Sequence, residues 1–418
     1  MRITICTHSI QKKMFQLLLL ITSLVILQNS LFGQTSILGL EFDQYVKNTI
    51  QEWNAPGVII SVVKDNQHIF TKGYGTCKYD ENLLPNENTL VTVASLTKAF
   101  TAAAIAILVD ENELSWNDPV KKYIPEFHFV NSFISENTTL RDLLMHRAGL
   151  PSTKFGGGNN PQYNVNDLLK ALKGHNTSSG FREHVNYSDI NYALTGEVVF
   201  RVSGMEWPTF LTEHIFKPLN MSSTFATPSL LKKKYGDPNK LDNIFIRASR
   251  KDHKIVSDGF FGFDFLFAPA SSIITTGIDI SKWMIMQLQK GNYHGKQIIS
   301  PESILEMHNP QIIEDINWAK SQNVWWKDKR DHFHPLIAYG LGWWIYDYQG
   351  RRVVEHYGGA AGSSVLALVN EQHLGIFITT NAVFPNWEGH KMIDALKLKI
   401  MDAYFDLPET DWSGQFLE

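Results

Sequence analysis

Cysteine is nearly missing from this sequence. Its 418 residues contain two, Cys6 and Cys77, and the first lies in a segment expected to be removed. One remaining thiol excludes an intrachain disulfide, so the fold has to be held by its core. An excess of positive charge is also missing: 38 Lys and Arg stand against 42 Asp and Glu, the net charge is −4, and no basic stripe is visible. Nucleic-acid binding is therefore not indicated. The apolar run Met14 to Leu27 is about 14 residues, short of the roughly 20 that cross a bilayer. It follows Lys12 and Lys13 and precedes the small or polar "QNSLFGQ", the layout of a secretory signal over residues 1–33 cut after Gly33. Leu31 departs from the small residue usual two positions before such a cut, and an uncleaved anchor is the alternative. Cys6 lacks the position of a lipid-attachment cysteine, directly after the apolar run. The expectation is an exported chain, periplasmic or secreted, with no stable membrane insertion once the signal is gone.

What is present suits a globular protein: 44% of residues are hydrophobic and 19% charged, enough for a large core. "LGLEFDQYVKNTIQEWNAPG" sets Phe42, Val46 and Ile50 at helical spacing and stops at Pro56-Gly57. "GVIISVVKDNQHIFTKGYG" reads as two strands about the turn Lys64-Asp65-Asn66. From Ser95 to about residue 265 helices and loops dominate. The helix "DISKWMIMQLQKG" is expected to start on Asp279 as N-cap and stop at Gly291. Strands are expected in "YGLGWWIY", "RRVVEHYGGAAGSSVLALVN" (two, around the glycines) and "LGIFITTN". A last helix, "KMIDALKLKIMDAYFDL", puts Ile393, Leu396, Ile400 and Tyr404 on one face. The order implies an α/β (α+β) fold: an antiparallel sheet from both chain ends, flanked by the terminal helices, with a mostly helical insertion. The sheet part spans about 34–94 and 270–410, the helical part about 95–269. A cleft between them is the expected ligand site.

The motif Ser-x-x-Lys occurs at Ser9, Ser61, Ser95 and Ser229, and only context separates the four. Ser9 is in the basic N-terminal region, Ser61 in a strand pattern, and Ser229 in a proline- and lysine-rich connection. Ser95 alone opens a long apolar helix, with Phe100, Ala104 and Leu108 on one stripe. Lys98, one turn on, shares its face and can take the serine proton. The competing reading is an N-cap serine with a solvated lysine. A serine nucleophile further needs a proton donor and two N–H groups for an oxyanion. "NYSDINYALTG" supplies Tyr187 and Asp189, and "EHYGGAAGSS" supplies His356, Tyr357, Gly358 and Gly359, whose glycines admit close backbone approach.

The order S-x-x-K, Y-x-N, then K-T-G or H-x-G resembles that of the serine β-lactamase and penicillin-binding-protein superfamily. It is most similar to the class C β-lactamases and their D-alanyl-D-alanine carboxypeptidase and esterase relatives. The resemblance runs over nearly the whole mature chain, 34–418, including "TLRDLLMHRAGLP", "FAPASSIITTGIDISKWMIMQL" and "YGLGWW". It implies a serine hydrolase of β-lactamase/transpeptidase-like fold, with no metal or organic cofactor and a small-molecule or short-peptide substrate. Ser95 would form an acyl-enzyme, and Lys98 and Tyr187 would share the acid–base work. Ser95 and Gly359 N–H groups would hold the oxyanion, while His356 would line the cleft and orient the Tyr187 hydroxyl or the substrate. Three residues depart from the pattern. Asp189 replaces the asparagine and favours a charged lysine, Tyr357 replaces a threonine that helps hold a substrate carboxylate, and His356 replaces a lysine. An ester or a small D-amino-acid amide or peptide is therefore expected alongside a β-lactam. The rival is a catalytically weak cell-wall peptide-binding protein or sensor retaining the fold.

Other features have plainer readings. His332 and His334 lack further ligands at metal spacing, "FGGGNN", with Gly156 to Asn160 after Phe155, lacks the residues of a P-loop, and "LKKKYG" reads as solvated surface. Trp325, Trp326, Trp343 and Trp344 are candidates for a substrate wall, with one of the last two expected in the core and the other facing the cleft. The ending "DLPETDWSGQFLE" is similar to a segment that leads into a small β domain in some relatives.

Overall fold

The structure, a computed structural model, describes residues 37–417 except 80, 152–161, 178–179, 252–253 and 316–335. The expected signal segment, "FGGGNN", Trp325, Trp326, His332 and His334 lie outside the described residues.

Helix α1 (Leu40–Glu52) leads into β1 (Gly57–Lys64) and β2 (Gln67–Gly75). Asp65 and Asn66 join these strands with φ of 50° and 63°, the paired left-handed conformations of a tight hairpin turn. Helix α2 (Thr97–Asp110) and helix α3 (Asp189–Ser203) fall in the central part, followed by a hairpin of β3 (Arg247–Lys251) and β4 (Lys254–Gly259), then helix α4 (Gly277–Leu288). The rest of the sheet is β5 (Ile312–Asp315), β6 (Leu336–Tyr339), β7 (Trp344–Tyr348), β8 (Arg351–Gly359), β9 (Ser363–Val369) and β10 (Leu374–Thr380), and α5 (Glu388–Tyr404) follows. Among the described residues the main sheet has eight strands in the order β2-β1-β10-β9-β8-β7-β6-β5. Every neighbouring pair is antiparallel. The first strands of the chain thus pair with the last, as the order of patterns implied.

Both sheet faces are covered, so its central strands are apolar throughout rather than alternating. Val58, Ile60 and Val62 share one core with Phe42 and Val46 of α1 and Ile393, Leu396 and Ile400 of α5. Ile59 and Val63 belong to the other core, with α2, α3 and α4. Helix α2 is buried from Thr97 to Leu108. It has no polar face, and its alanines let neighbouring backbones approach.

Four expectations need correction. The β3–β4 hairpin lies within the stretch read as helices and loops; its polar sequence gives little periodicity, and β3 is held partly by parallel pairing with Ala382 and Val383. "YGLGWWIY" forms two strands, because Gly340 N–H bonds Trp343 O at 2.8 Å and closes a turn between β6 and β7. Helix α4 is capped by Thr276, whose hydroxyl accepts from Asp279 N–H. Asp279 instead accepts from Ser223 N–H at 2.7 Å and pairs with Lys282 at 2.8 Å. The segment around Ser229 is helical over Pro228–Tyr235, with Lys232 to Lys234 exposed. Trp343 is buried, and Trp344 packs edge-on against Tyr339 with ring centres 4.6 Å apart.

Candidate active site

The structure separates the described serine–lysine motifs. Ser61 is buried in β1, accepting from Thr71 Oγ1 at 2.9 Å, while Lys64 at the strand end pairs with Asp65. Ser229 donates to Asp264 at 2.6 Å. Ser95 stands on a single turn of 3₁₀ helix, Ala94–Leu96, that enters α2. The residue before it, Ala94, has φ 48°, a left-handed conformation unusual outside glycine and characteristic of functional sites.

Lys98 is completely buried. Its ammonium donates to Ser95 Oγ at 3.2 Å, Asp189 Oδ1 at 2.6 Å and the Ala270 carbonyl at 3.3 Å. It also lies 4.6 Å from the centre of the Tyr187 ring. Neither half of the capping alternative holds, since the lysine is not solvated and Ser95 caps nothing. Burial by itself pulls the amine's pKa down, but the neighbouring Asp189 carboxylate outweighs it and the net direction is up. Asp189 opens α3, where an acid also meets the positive end of the helix dipole.

Tyr187 precedes α3, with its ring partly open to solvent. Enclosure of its hydroxyl raises its pKa, and the Lys98 charge offsets this in part. Behind it lies His146, a residue to which the sequence reading gave no role. His146 is buried, with its ring centre 4.3 Å from that of Tyr187. Its Nδ1 accepts from Ser188 N–H at 3.2 Å and Asn191 Nδ2 at 3.0 Å, so it ties down the turn that carries Tyr187 and Asp189. Nothing short of the tertiary packing marks it.

Strand β8 supplies the opposite wall. His356 is buried; its Nδ1 donates to the Tyr357 carbonyl at 2.7 Å, so Nε2 is left to accept from Tyr339 Oη at 3.0 Å. Burial first, and then the Lys98 charge, push its pKa down to about 3. The wall is therefore polar but neutral. Its ring centre is 6.2 Å from that of Tyr187, and its Nε2 bonds Tyr339 rather than the Tyr187 hydroxyl. At Gly358 a Cβ would overlap the Val93 carbonyl oxygen, so only glycine lets the strand end press against the segment carrying Ser95. Ser364 Oγ donates to the same carbonyl at 3.0 Å. Gly359 follows at the cleft end of the strand.

The side chain of Tyr357 does not take the position expected of a substrate contact. Residues alternate across a strand, so it points away from His356 into the core under α5. There its hydroxyl donates to Asp394 at 2.5 Å and accepts from Lys397 at 2.6 Å. Lys397 is fully buried and also pairs with Glu355 at 2.6 Å.

Comparison with known proteins bears on the family and the fold. The family model described as Beta-lactamase matches residues 42–399. The unguisins hydrolase ungD of Aspergillus violaceofuscus is 25% identical over 399 residues, covering 90% of this chain and 67% of that protein. Protein flp of Staphylococcus aureus (strain MW2) is 28% identical over 250 residues, covering 59% of this chain and 48% of its own length. The chain thus spans two thirds or less of these curated relatives. Among solved structures, the octameric penicillin-binding protein homologue from Pyrococcus abyssi has a TM-score of 0.68 at 22% identity, covering 86% of this chain and 77% of that one. A class C β-lactamase from Rhodobacter sphaeroides has a TM-score of 0.66 at 16% identity, covering 87% and 98%. A D-stereospecific amidohydrolase from Streptomyces sp. has a TM-score of 0.65 at 18% identity, covering 87% and 98%. At these identities the structural likeness concerns the fold.

Proposed function

Because the chain belongs to the β-lactamase family, we propose that it is a serine hydrolase acting through an acyl-enzyme on Ser95. The observation that carries this reading is the Lys98 ammonium, fully buried and 3.2 Å from Ser95 Oγ. The Asp189 pair offsets the cost of burying that charge, and a lysine held within hydrogen-bond reach of a serine hydroxyl is placed to exchange its proton. In the forward step Ser95 Oγ attacks the substrate carbonyl carbon while its proton passes to Lys98 or Tyr187. The carbonyl oxygen becomes an oxyanion held by the N–H groups of Ser95 and Gly359. Tyr187 returns a proton to the departing alcohol or amine. A water then attacks the acyl ester, gives one proton back through the same pair, and releases the acid with Ser95 restored.

Substrate choice follows from Asp189. Its carboxylate keeps Lys98 protonated and offers no donor to an amide carbonyl. An activated ester asks less of the base than an amide or β-lactam does. We therefore place esters ahead of small D-amino-acid amides or peptides and of β-lactams. The same ion pair favours the second reading, a cell-wall peptide-binding protein whose base is silenced.

Asp189→Asn separates the two. Without the carboxylate the Lys98 pKa falls, so the neutral amine is reached at lower pH. The rising limb of kcat/KM against pH should shift to lower pH, and cephalosporin turnover at pH 7 should increase about tenfold, one pKa unit's worth of free base. Unchanged profiles for a chromogenic cephalosporin and a short-chain nitrophenyl ester would remove this account of Asp189.

A further inference from the structure

Next to Gly359 the surface dips into a chamber of about 390 Å³, walled by Phe261, Val383, Phe384 and Trp387, with Arg247 and His390 at its sides. The volume is that of a small-molecule pocket, and Phe261, Phe384 and Trp387 put three aromatic rings on its walls. Gly359 is its link to the cleft. A Cβ at that residue would come within 2.7 Å of His390 Cε1 and 3.6 Å of the Trp387 ring, so only glycine fits where the strand end meets the chamber wall.

The far wall is held in an unusual backbone. Asn386 and Trp387 are consecutive non-glycine residues with φ of 54° and 60°, a strained arrangement that collects at functional sites. It leaves the Trp387 indole 47% exposed, a large apolar surface on a concave wall. The guanidinium of Arg247 lies 5.1 Å from the Phe261 ring centre. Its Nε is 3.4 Å from Asp258 Oδ2 and makes no hydrogen bond among the described residues. His390 bonds Ser363 Oγ through Nδ1 at 2.9 Å. The chamber therefore combines aromatic walls with a cation, and a flat π-system satisfies both.

Resting on the serine-hydrolase reading of Ser95, we propose that this chamber is a specificity subsite that takes an aromatic group on the acyl part of the substrate. The ring packs against Trp387 and Phe384, and Arg247 faces its π-cloud. The preferred substrates are then arylalkanoyl esters, or amides and peptides with an aromatic side chain beside the scissile carbonyl.

The test compares nitrophenyl acetate with nitrophenyl 3-phenylpropionate on wild type, Trp387→Ala and Val383→Trp, the last of which fills the chamber. In parallel, calorimetry measures 3-phenylpropionate binding to Ser95→Ala and to Ser95→Ala/Val383→Trp. The aryl-to-acetyl ratio of kcat/KM should exceed about ten in wild type and fall about tenfold in both variants, and binding should vanish when the chamber is filled. Ester turnover that depends on Ser95, with a ratio that neither variant changes, overturns the subsite and leaves the hydrolase reading standing. If neither ester is turned over, the hydrolase reading falls, and calorimetry decides the chamber: binding that survives Val383→Trp, or no binding at all, overturns it.

Discussion

Lys98→Ala is expected to lower kcat/KM for a nitrophenyl ester about a thousandfold, within the roughly 10²–10⁴ that a positioned general base supplies. The buried amine is the group that meets Ser95 Oγ, Asp189 and Ala270 together. Loss of activity alone would not distinguish a base from a counter-ion for Asp189, so Lys98→Arg is the informative partner. Arginine preserves the positive charge and the pairing but does not give up its proton at any accessible pH. If the lysine accepts the Ser95 proton, the arginine enzyme folds and stays inactive. If the lysine only neutralises Asp189, arginine restores much of the rate. Urea unfolding of both variants separates a misfolded site from an idle one.

A second large effect concerns acid. His308, His356 and His390 are buried, and burial pushes each pKa down to about 3. In the unfolded chain each takes up a proton below about pH 6.5, whereas the fold excludes it until about pH 3. Their contribution is therefore fully present above 6.5 and is lost as pH falls from 6.5 toward 3. Each should cost about 1.4 kcal/mol per pH unit in that window, so the three together approach about 4 kcal/mol per unit. Against a total stability of roughly 5–15 kcal/mol, the protein should unfold between about pH 5 and 4. Asp142, whose burial is outweighed by Arg182, the Thr139 N–H and Arg147 so that its pKa is lowered, adds its loss only at still lower pH. Urea midpoints at pH 7, 6 and 5 check this; equal midpoints at 7 and 5 would contradict it.

Much of the architecture was legible because it is written locally. The hairpin turn at Asp65-Asn66, the apolar strands Val58–Val63 and Ile376–Ile378, and the buried face of α5 each follow from runs or periodicity that neighbours do not alter. Ser95 and Lys98 were legible for a similar reason, since three residues on one helical turn fix their distance. What was missed depends on partners distant in sequence. Lys397, in "DALKLKIM", drew no role from its neighbours; the buried partner that holds its charge, Glu355, lies 42 positions earlier. Hairpin β3–β4 is polar and leans on Ala382 and Val383. His146 acts through Ser188 and Asn191, which only the fold brings near. Tyr357 is the exception. Strand alternation alone sets it on the face opposite His356, and the burial of its hydroxyl under α5 follows from a rule the sequence already obeyed.

The central claim is that Ser95 becomes acylated. The direct measurement is the intact mass of the protein after brief incubation with a slowly released nitrophenyl ester, followed by peptide mapping. The account predicts one added acyl group per chain on the peptide containing Ser95, none in Ser95→Ala, and slower loss of the adduct in Tyr187→Phe. An unmodified Ser95 while ester is still being hydrolysed, or an adduct that persists in Ser95→Ala, would contradict it.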